Sequence, residues 1–241
     1  MFFGNKARRR PHTTRPVEAL ESRAMLAASV RLTGNELVIT GTTGNDQITV
    51  GGTAQSGRTT VKSGNQLIGS FPTQNIAKIS ATLMSGNDSM TIDMRGKSFT
   101  NMTIDLGGGS NEAFTLLGGA ISNRLTIRAN SSWGARVELN AVTVGIATAS
   151  FGNGSGDQLS IRNSSLTEVS TTLGAGDDRF ESSNSSFVRA YVYMQDGNDQ
   201  VFFDRYSQVG LGQIVGGNGS RDLYRQERGA RVNATVRDFE L

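Results

Sequence analysis

"LGAGDDRFES" (residues 173–182) and "MQDGNDQVFF" (residues 194–203) carry one pattern twice, at an interval of 21 residues. In both, glycine is followed by Asp or Asn, then by Asp, then by one spacer residue and an apolar run. Glycine and Asp are typical of tight turns, because they tolerate positive φ and cap their own backbone. A turn that returns at a fixed interval indicates a repeat architecture.

Short strand-like segments precede these turns throughout residues 81–236. Their first residues lie at positions 81, 102, 125, 147, 169, 190, 211 and 232, so the repeat length is 21–23 residues. Within each segment, alternation places apolar side chains on one face. The strand after each turn repeats at a similar interval, with apolar positions at Met90, Phe114, Val137, Leu159, Phe180, Val201 and Leu223.

A third short element completes each repeat and places Leu166, Phe187 and Val209 at equivalent positions. Asn163 and Asn184 are also one repeat apart, and we expect their side chains to hydrogen-bond along the stack. Three short strands in a repeat of this length predict an all-β fold, a right-handed parallel β-helix. About seven coils at the strand spacing of about 4.8 Å would give a rod roughly 30–35 Å long.

The sequence divides into three parts. Residues 1–28 form a basic leader, residues 29–80 a β-hairpin cap with the first coil, and residues 81–241 the β-helix. Gly34-Asn35 and Gly64-Asn65 stand between alternating runs, which is typical of hairpins. Since positions 46 and 88 are two coil lengths apart, we expect one hairpin to be inserted into the first coil. Charged residues crowd the last coil, where they would hinder edge-to-edge pairing.

Composition excludes several classes of protein. The chain has no Cys, which excludes disulfides and thiolate metal sites. Residues 1–28 hold six basic and two acidic side chains, which leaves 18 basic and 19 acidic ones in the rest. The predicted folded part is therefore not basic, and we expect no nucleic-acid partner. No stretch approaches the roughly 18 apolar residues of a membrane span.

The leader contains the segment "VEALESRAMLAA" (residues 17–28). It resembles the LEPR-xLL leader of planctomycete exported and surface proteins, although Ser22 stands where that family has Pro and Met25 where it usually has Leu. The resemblance implies export, removal of the leader, and a secreted or cell-surface location. The alternative is a disordered basic tail. The matching residues are Leu20, Glu21, Arg23, Leu26 and Ala27.

The turns themselves resemble the hemolysin-type (RTX-like) calcium-binding repeat, G-G-x-G-x-D-x-U-x. "NGSGDQLS" (residues 153–160), "GAGDDRFE" (174–181) and "DGNDQVF" (196–202) match it in part. The resemblance implies that glycine carbonyls and Asp carboxylates form the all-oxygen shell that Ca²⁺ prefers. It implies as ligands Asp157, Asp177, Asp178, Asp199, Gly174, Gly176 and Gly197, with a weaker set of Asp46, Asp88, Asp196 and Asp222.

Two explanations of these turns stay open. Stacked Asp residues would repel one another by about 1 kcal/mol in water and about 3–4 kcal/mol at an effective dielectric constant of 20, unless they are protonated, well hydrated or bridged by a cation. Alternatively, glycine and Asp serve the turn alone and nothing binds. Unlike the family's tandem nonapeptides, the motif occurs once per coil. Two coils, "GGGSNEAF" (residues 107–114) and "NSSWGARV" (130–137), lack the Asp, so we expect Asp46 and Asp88 to have no carboxylate neighbour.

For function, the sequence favours a non-enzymatic surface, matrix or adhesion module, monomeric and with extracellular polysaccharide or surface components as partners. The alternative is a polysaccharide lyase or hydrolase, since β-helix enzymes of those families resemble this architecture. Residues 29–241 contain no His, the commonest general base. The even repeat length also leaves no long loop for a cleft wall. We expect Trp133, the only Trp, to be a turn residue packed on the side of the rod rather than a sugar-stacking platform.

Overall fold

A computed structural model describes residues 28–52 and 57–240. The leader therefore lies outside the described residues, apart from Ala28. The described chain is an all-β solenoid of about seven turns, with coils stacked in parallel. This confirms the fold class predicted from the repeat.

The strands, numbered in chain order, lie as follows. They are β1 (Ser29–Thr33), β2 (Glu36–Thr40), β3 (Gln47–Gly51), β4 (Arg58–Ser63), β5 (Gln66–Pro72), β6 (Lys78–Thr82), β7 (Ser89–Asp93), β8 (Ser98–Asp105), β9 (Glu112–Leu117), β10 (Ala120–Ala129), β11 (Ala135–Asn140), β12 (Thr143–Phe151), β13 (Gln158–Arg162), β14 (Ser165–Ala175), β15 (Arg179–Ser183), β16 (Ser186–Asp196), β17 (Gln200–Phe203), β18 (Gln208–Gly217), β19 (Leu223–Gln226), β20 (Arg231–Val232) and β21 (Thr235–Arg237). A 3₁₀ turn lies at Thr73–Asn75.

Two sheets run along the rod. The first has the order β1-β2-β6-β8-β10-β12-β14-β16-β18-β20, with β21 also paired to β18. The second has the order β19-β17-β15-β13-β11-β9-β7-β3-β4-β5. Within the described residues, each full coil contributes one strand to each sheet, and the core lies between the two sheets. The Gly-Asp turns connect a strand of the first sheet to the next strand of the second.

Inward-facing apolar side chains stack from coil to coil and form this core. In the first sheet Met102, Leu125, Ala147, Val169 and Ala190 are cross-strand partners in that order, and each is at most 3% exposed. A single coil could not bury these side chains, whereas a stack of coils buries them continuously. The second sheet confirms the predicted positions from Met90 to Val201.

The predicted repeat is wrong by one or two residues at its ends. In the first sheet Met102 pairs with Ile79 rather than Ala81, and Ala190 pairs with Gly212 rather than Leu211. Val232 is predicted to begin the last of these segments, but it pairs with Val209 instead. The length of the coil changes towards both ends, and a shift of one residue reverses which side chain faces the core.

The second sheet ends with the same kind of shift. Val201 pairs with Tyr224, and the predicted Leu223 is instead 50% exposed. The turn before β19 contains one residue more than the turn before β17, counted between residues that pair across the coils. The alternation of inward-facing and outward-facing side chains in β19 therefore begins one residue later.

In the coils from β8 to β18 the third element is not a separate strand. It joins the following strand of the first sheet in one long strand, such as β14 or β16, with a register shift seen in β10 between Ile121 and Arg124. Leu166, Phe187 and Val209 stack as predicted. The Asn ladder is also confirmed, with Asn184 Nδ2 donating to Asn163 Oδ1 at 3.0 Å.

Residues 29–72 close the amino-terminal end. The β1–β2 and β4–β5 pairs are antiparallel hairpins, with Gly34 and Gly64 at positive φ in their turns. Parallel pairing of β2 with β6 and of β3 with β7 makes β2 and β3 the first coil. The β4–β5 hairpin is therefore the predicted insertion between positions 46 and 88. Val30 and Phe71 pack against the end of the core.

Aromatic rings accompany the charged residues at the other end. Tyr224 stacks between Phe203 and Phe239, with ring centroids 6.3 and 5.7 Å away. Arg237 and Asp238 approach to 3.9 Å, and both side chains are about half exposed. In the described residues, no helix is long and apolar enough to cross a bilayer.

Candidate functional site

The parallel register brings one residue from each coil into a single line beside the Gly-Asp turns. We call this line the carboxylate column. Its members are identified from the cross-strand pairing of the residues next to them in the chain. All but one of the members are acidic. In order along the rod they are Asp46, Asp88, Glu112, Ala135, Asp157, Asp178, Asp199 and Asp222.

One oxygen of most column carboxylates is committed to the backbone of the preceding coil. The Asp178 Oδ1 accepts the N–H of Asp157 at 2.6 Å, and the Asp199 Oδ1 accepts the N–H of Asp178 at 2.8 Å. The same bond joins Asp46 N to Asp88 Oδ1 at 2.8 Å, Ala135 N to Asp157 Oδ1 at 2.6 Å, and Asp199 N to Asp222 Oδ1 at 2.9 Å. The carboxylates thus satisfy turn N–H groups that would otherwise be buried without a partner.

The glycines of the turns allow the coils to approach closely. A Cβ atom at Gly197 would lie 1.8 Å from the Gly176 carbonyl oxygen, and one at Gly176 would lie 2.1 Å from the Gly154 oxygen. Gly174 lies in the same way against the Gly152 oxygen, at 1.8 Å from the Cβ position. Only a residue without a side chain fits these contacts. Glycine lets the backbone of the preceding coil approach closely, and the Asp two residues later accepts an N–H of that coil.

Two of the Asp residues predicted as ligands lie outside the column. Asp177 is exposed, and its Oδ1 accepts the N–H of Asn198 at 2.9 Å. Asp196 is also exposed, and its Oδ1 accepts the amide of Asn218 at 2.7 Å. The other predicted Asp residues all belong to the column.

The expectation that Asp46 and Asp88 have no carboxylate neighbour is wrong. The backbone N–H of Asp46 donates to the Asp88 carboxylate, and Asp88 is next to Glu112 in the column. The sequence contains a signal for Glu112, because "SNEAF" (residues 110–114) has the same spacing as "GNDSM" (86–90) with Glu in place of Asp.

The second oxygen of these carboxylates is buried without a partner. In the described chain this holds for Oδ2 of Asp88, Asp157, Asp178, Asp199 and Asp222, and for both oxygens of Glu112. These residues are at most 2% exposed. A buried ionised carboxylate that lacks a partner is costly, and a proton or a cation on the second oxygen lowers that cost.

Burial accordingly favours the protonated form. The pKa of Asp178 is raised to about 8, chiefly by loss of hydration; the hydrogen bond from Asp157 opposes this rise, and the charges of neighbouring Asp residues add to it. Burial likewise raises the pKa of Glu112 to about 8, with contributions from the charges of Asp88, Asp157 and Asp105. For Asp157 and Asp199, burial raises the pKa to about 6.

The column meets some of the requirements of a Ca²⁺ site. Ca²⁺ takes six to eight oxygen ligands, and the column offers buried carboxylate oxygens without other partners. Among the described residues, however, no group of three or more His, Cys, Asp or Glu side chains converges so that it could hold a metal ion. Any Ca²⁺ would therefore take carboxylate oxygens from one or two coils and its remaining ligands from turn carbonyls and water.

Trp133 lies in the turn of the Asp-free coil, as predicted, but it is 69% exposed and does not pack into the rod. In this turn the Ser131 hydroxyl accepts the N–H of Gly134 at 3.1 Å and donates to the Gly134 carbonyl at 3.0 Å, so these two bonds stay within one coil. The site thus contains a regular column of acids and one coil that departs from it.

No known protein family, curated protein or solved structure matches this chain. The fold and the column therefore rest on the geometry given above. The resemblances of the leader and of the turns to known families stay predictions from the sequence.

Proposed function

We propose that this chain is a non-enzymatic β-solenoid that acts outside the cell as a surface, matrix or adhesion module, with its coils stabilised by Ca²⁺ along the carboxylate column. The observation that carries the proposal is the orientation of the column. One oxygen of each Asp from Asp157 to Asp222 accepts a backbone N–H, and the other is buried. Such carboxylates serve the stacking of the coils and are closed to an external substrate.

The electrostatics of the column favour uptake of a cation. Neighbouring coils lie about 4.8 Å apart, and two like charges at this distance repel by about 3–4 kcal/mol at an effective dielectric constant of 20. Outside cells Ca²⁺ is abundant enough to fill sites with dissociation constants of about 10⁻⁴–10⁻³ M. Asp157, Asp178 and Asp199 would hold the ions with carbonyls near Gly174, Gly176 and Gly197, and a bound ion would supply the neutralising charge between coils.

The outer faces of the rod suit a repetitive partner. On the first sheet Thr103, Thr126 and Thr148 are cross-strand partners and form a row of hydroxyl groups one strand spacing apart. A repeating row of polar groups matches the repeating units of a polymer better than it matches a single small molecule. Extracellular polysaccharide is therefore the partner we propose.

A polysaccharide lyase or hydrolase is the second candidate, and one feature favours it. An open cavity of about 530 Å³ lies beside the last Gly-Asp turns, where it is lined by the exposed Asp177 together with Arg179 and Arg221. Acidic and basic side chains in one opening are the groups that such enzymes use. Against this candidate, the only His of the chain is His12, in the leader.

The test of the calcium site is the thermal stability of the full chain at pH 8 with chelator, Ca²⁺ or Mg²⁺. We expect Ca²⁺ to raise Tm and Mg²⁺ to raise it much less. Asp178→Asn keeps a hydrogen-bond acceptor for Asp157 but removes a ligand charge, so it should reduce the response to Ca²⁺. The matched control is Asp238→Asn, which removes an exposed charge outside the column. A Tm that does not respond to Ca²⁺ would mean that the Asp residues of the column serve the turns alone and bind no cation.

The test of the module against the enzyme is incubation of the full chain with acidic and neutral polysaccharides, followed by sedimentation and by assays for new reducing ends and unsaturated products. Binding without products supports the module. Catalytic turnover on any of the polymers would overturn it in favour of the enzyme.

A further inference from the structure

The carboxylate column is interrupted at Ala135, and the carboxyl group of the preceding member, Glu112, takes no part in the ladder. The Ala135 N–H donates to Asp157, as elsewhere in the column. Glu112, one coil earlier, is 1% exposed, yet both of its carboxyl oxygens are buried without a hydrogen-bond partner. Of the acids in the described column, Glu112 is the one that has two such oxygens.

A cavity opens to the surface at the same place. Its volume is about 220 Å³, and its wall includes Glu112, Trp133, Ala135 and Arg136. The exposed ring of Trp133 stands at this opening. Since Ala135 has only a methyl group where neighbouring coils have a carboxylate, the interruption leaves room between Glu112 and the surface.

The chemistry of this wall selects a class of ligand. A buried carboxylate that lacks partners is best satisfied by a cationic hydrogen-bond donor, and an aromatic ring attracts the same kind of group. The cavity, at about 220 Å³, is larger than a bare ion, and Glu112 is the one acid among the residues that line it, so it would give a metal ion a single carboxylate. We propose that this cavity binds a small molecule with a primary ammonium group, which pairs with Glu112 while the carbon chain of the ligand lies against Trp133.

Binding requires the Glu112 carboxylate to meet the ligand at the cavity wall. Because no hydrogen bond holds that carboxylate, its rotation towards the cavity breaks none. Arg136, on the same wall, disfavours ligands that carry positive charge along their whole length. The matching ligand is therefore an amine whose other end is neutral or anionic.

This site does not depend on the proposed calcium function. Glu112 belongs to the carboxylate column, but the wall of its cavity includes none of the proposed calcium ligands Asp157, Asp178 and Asp199. Amine binding can therefore succeed or fail whether or not Ca²⁺ stabilises the rod.

The test is a titration of the full chain with ethylammonium chloride, read from the emission of Trp133, the only Trp in the sequence. Ethanol is the neutral control ligand, and glycine tests whether an anionic group near Arg136 strengthens binding. We expect a saturable change with ethylammonium and none with ethanol. Glu112→Gln keeps the shape of the side chain and should weaken binding about tenfold or more, because a charge-assisted bond is lost. The matched control is Glu138→Gln, which changes an acid of the neighbouring strand β11 and should bind as the unaltered chain does.

Proton release gives a second measurement that does not rely on a variant. Burial and the charges of Asp88, Asp157 and Asp105 raise the Glu112 pKa to about 8, so the group is mostly protonated at pH 7. Pairing with ammonium favours the carboxylate, and binding at pH 7 should therefore release up to about one proton per ligand. An equal response to ethylammonium from the unaltered chain and from the Glu112→Gln chain would overturn the proposal.

Discussion

At the scale of single residues, glycine and Asp in each turn do two different jobs. Gly197 lets the Gly176 carbonyl approach its Cα, and Asp199 accepts the N–H of Asp178. The sequence was sufficient to predict where these turns lie and that their Asp residues stack. It could not show which atoms the two residue types serve, because those contacts join positions that are 21 residues apart.

The role of glycine gives a stability prediction. Gly197→Ala would place a Cβ 1.8 Å from the Gly176 oxygen at a φ of 143°, so the two coils must separate. We expect a loss of at least about 3 kcal/mol, of the order seen when core residues are overpacked. The control is Gly34→Ala, at a φ of 60° with open space around its Cβ, which should cost only about 1–2 kcal/mol for the positive φ. Denaturant unfolding measures both, and equal losses would mean that close stacking is unimportant.

At the scale of strands, the repeat length predicted the middle coils well and the end coils poorly. Val137, Leu159 and Phe180 are cross-strand partners as predicted, whereas Leu223 gives way to Tyr224. An apolar residue at the expected interval identifies the core-facing position only where successive turns have the same length. One added turn residue changes which neighbour faces inward, and only the stacking of the coils decides between them.

Phe202 and Phe203 test this inward and outward alternation within one strand. Phe203 is fully buried and packs on Phe180 with ring centroids 5.7 Å apart, whereas Phe202 faces outward beneath Arg225. We expect Phe203→Ala to lower the free energy of unfolding by about 3–5 kcal/mol. Phe202→Ala, the matched control, should cost about 1 kcal/mol or less, the scale of an exposed cation–π contact. Similar losses for the two variants in denaturant unfolding would contradict the register of β17.

At the scale of the whole molecule, the column gives the rod a line of buried acidic side chains. The repeat predicts that acids line up, but it does not identify Glu112, because that coil has Glu rather than Asp. The depth of burial was also beyond the sequence, since it depends on how the coils on either side cover each group. This burial sets how the stability of the rod responds to pH.

In chelator, we expect stability to fall as the pH rises from about 4 to about 8. The pKa of Asp178 is raised from its ordinary value of 3.8 to about 8, so across this range the folded chain binds more protons than the unfolded chain. The stabilisation is complete below the unfolded pKa and is lost as the pH passes the folded pKa values of Asp157, Asp199 and Asp178. A loss of about 2 kcal/mol would lower Tm by roughly 4–8 °C.

Thermal melting at pH 5 and pH 8 measures this effect. Asp178→Asn should melt with a smaller dependence on pH, because its amide does not titrate. Added Ca²⁺ should raise Tm more at pH 8 than at pH 5, since protons compete with the metal for the same oxygens. A higher Tm at pH 8 than at pH 5 in chelator would contradict the assignment of the column as buried acid.

Each bond from a turn N–H to the carboxylate of the next coil points in the same direction along the rod. A duplicated unit, such as a second copy of residues 179–199, would bring one donor and one acceptor, and it would leave the bonds of its neighbours unchanged. Whole windings can therefore be added or removed without a mismatch at the junction. Duplication or deletion of gene segments that encode one winding would therefore change the length of such a molecule in equal steps.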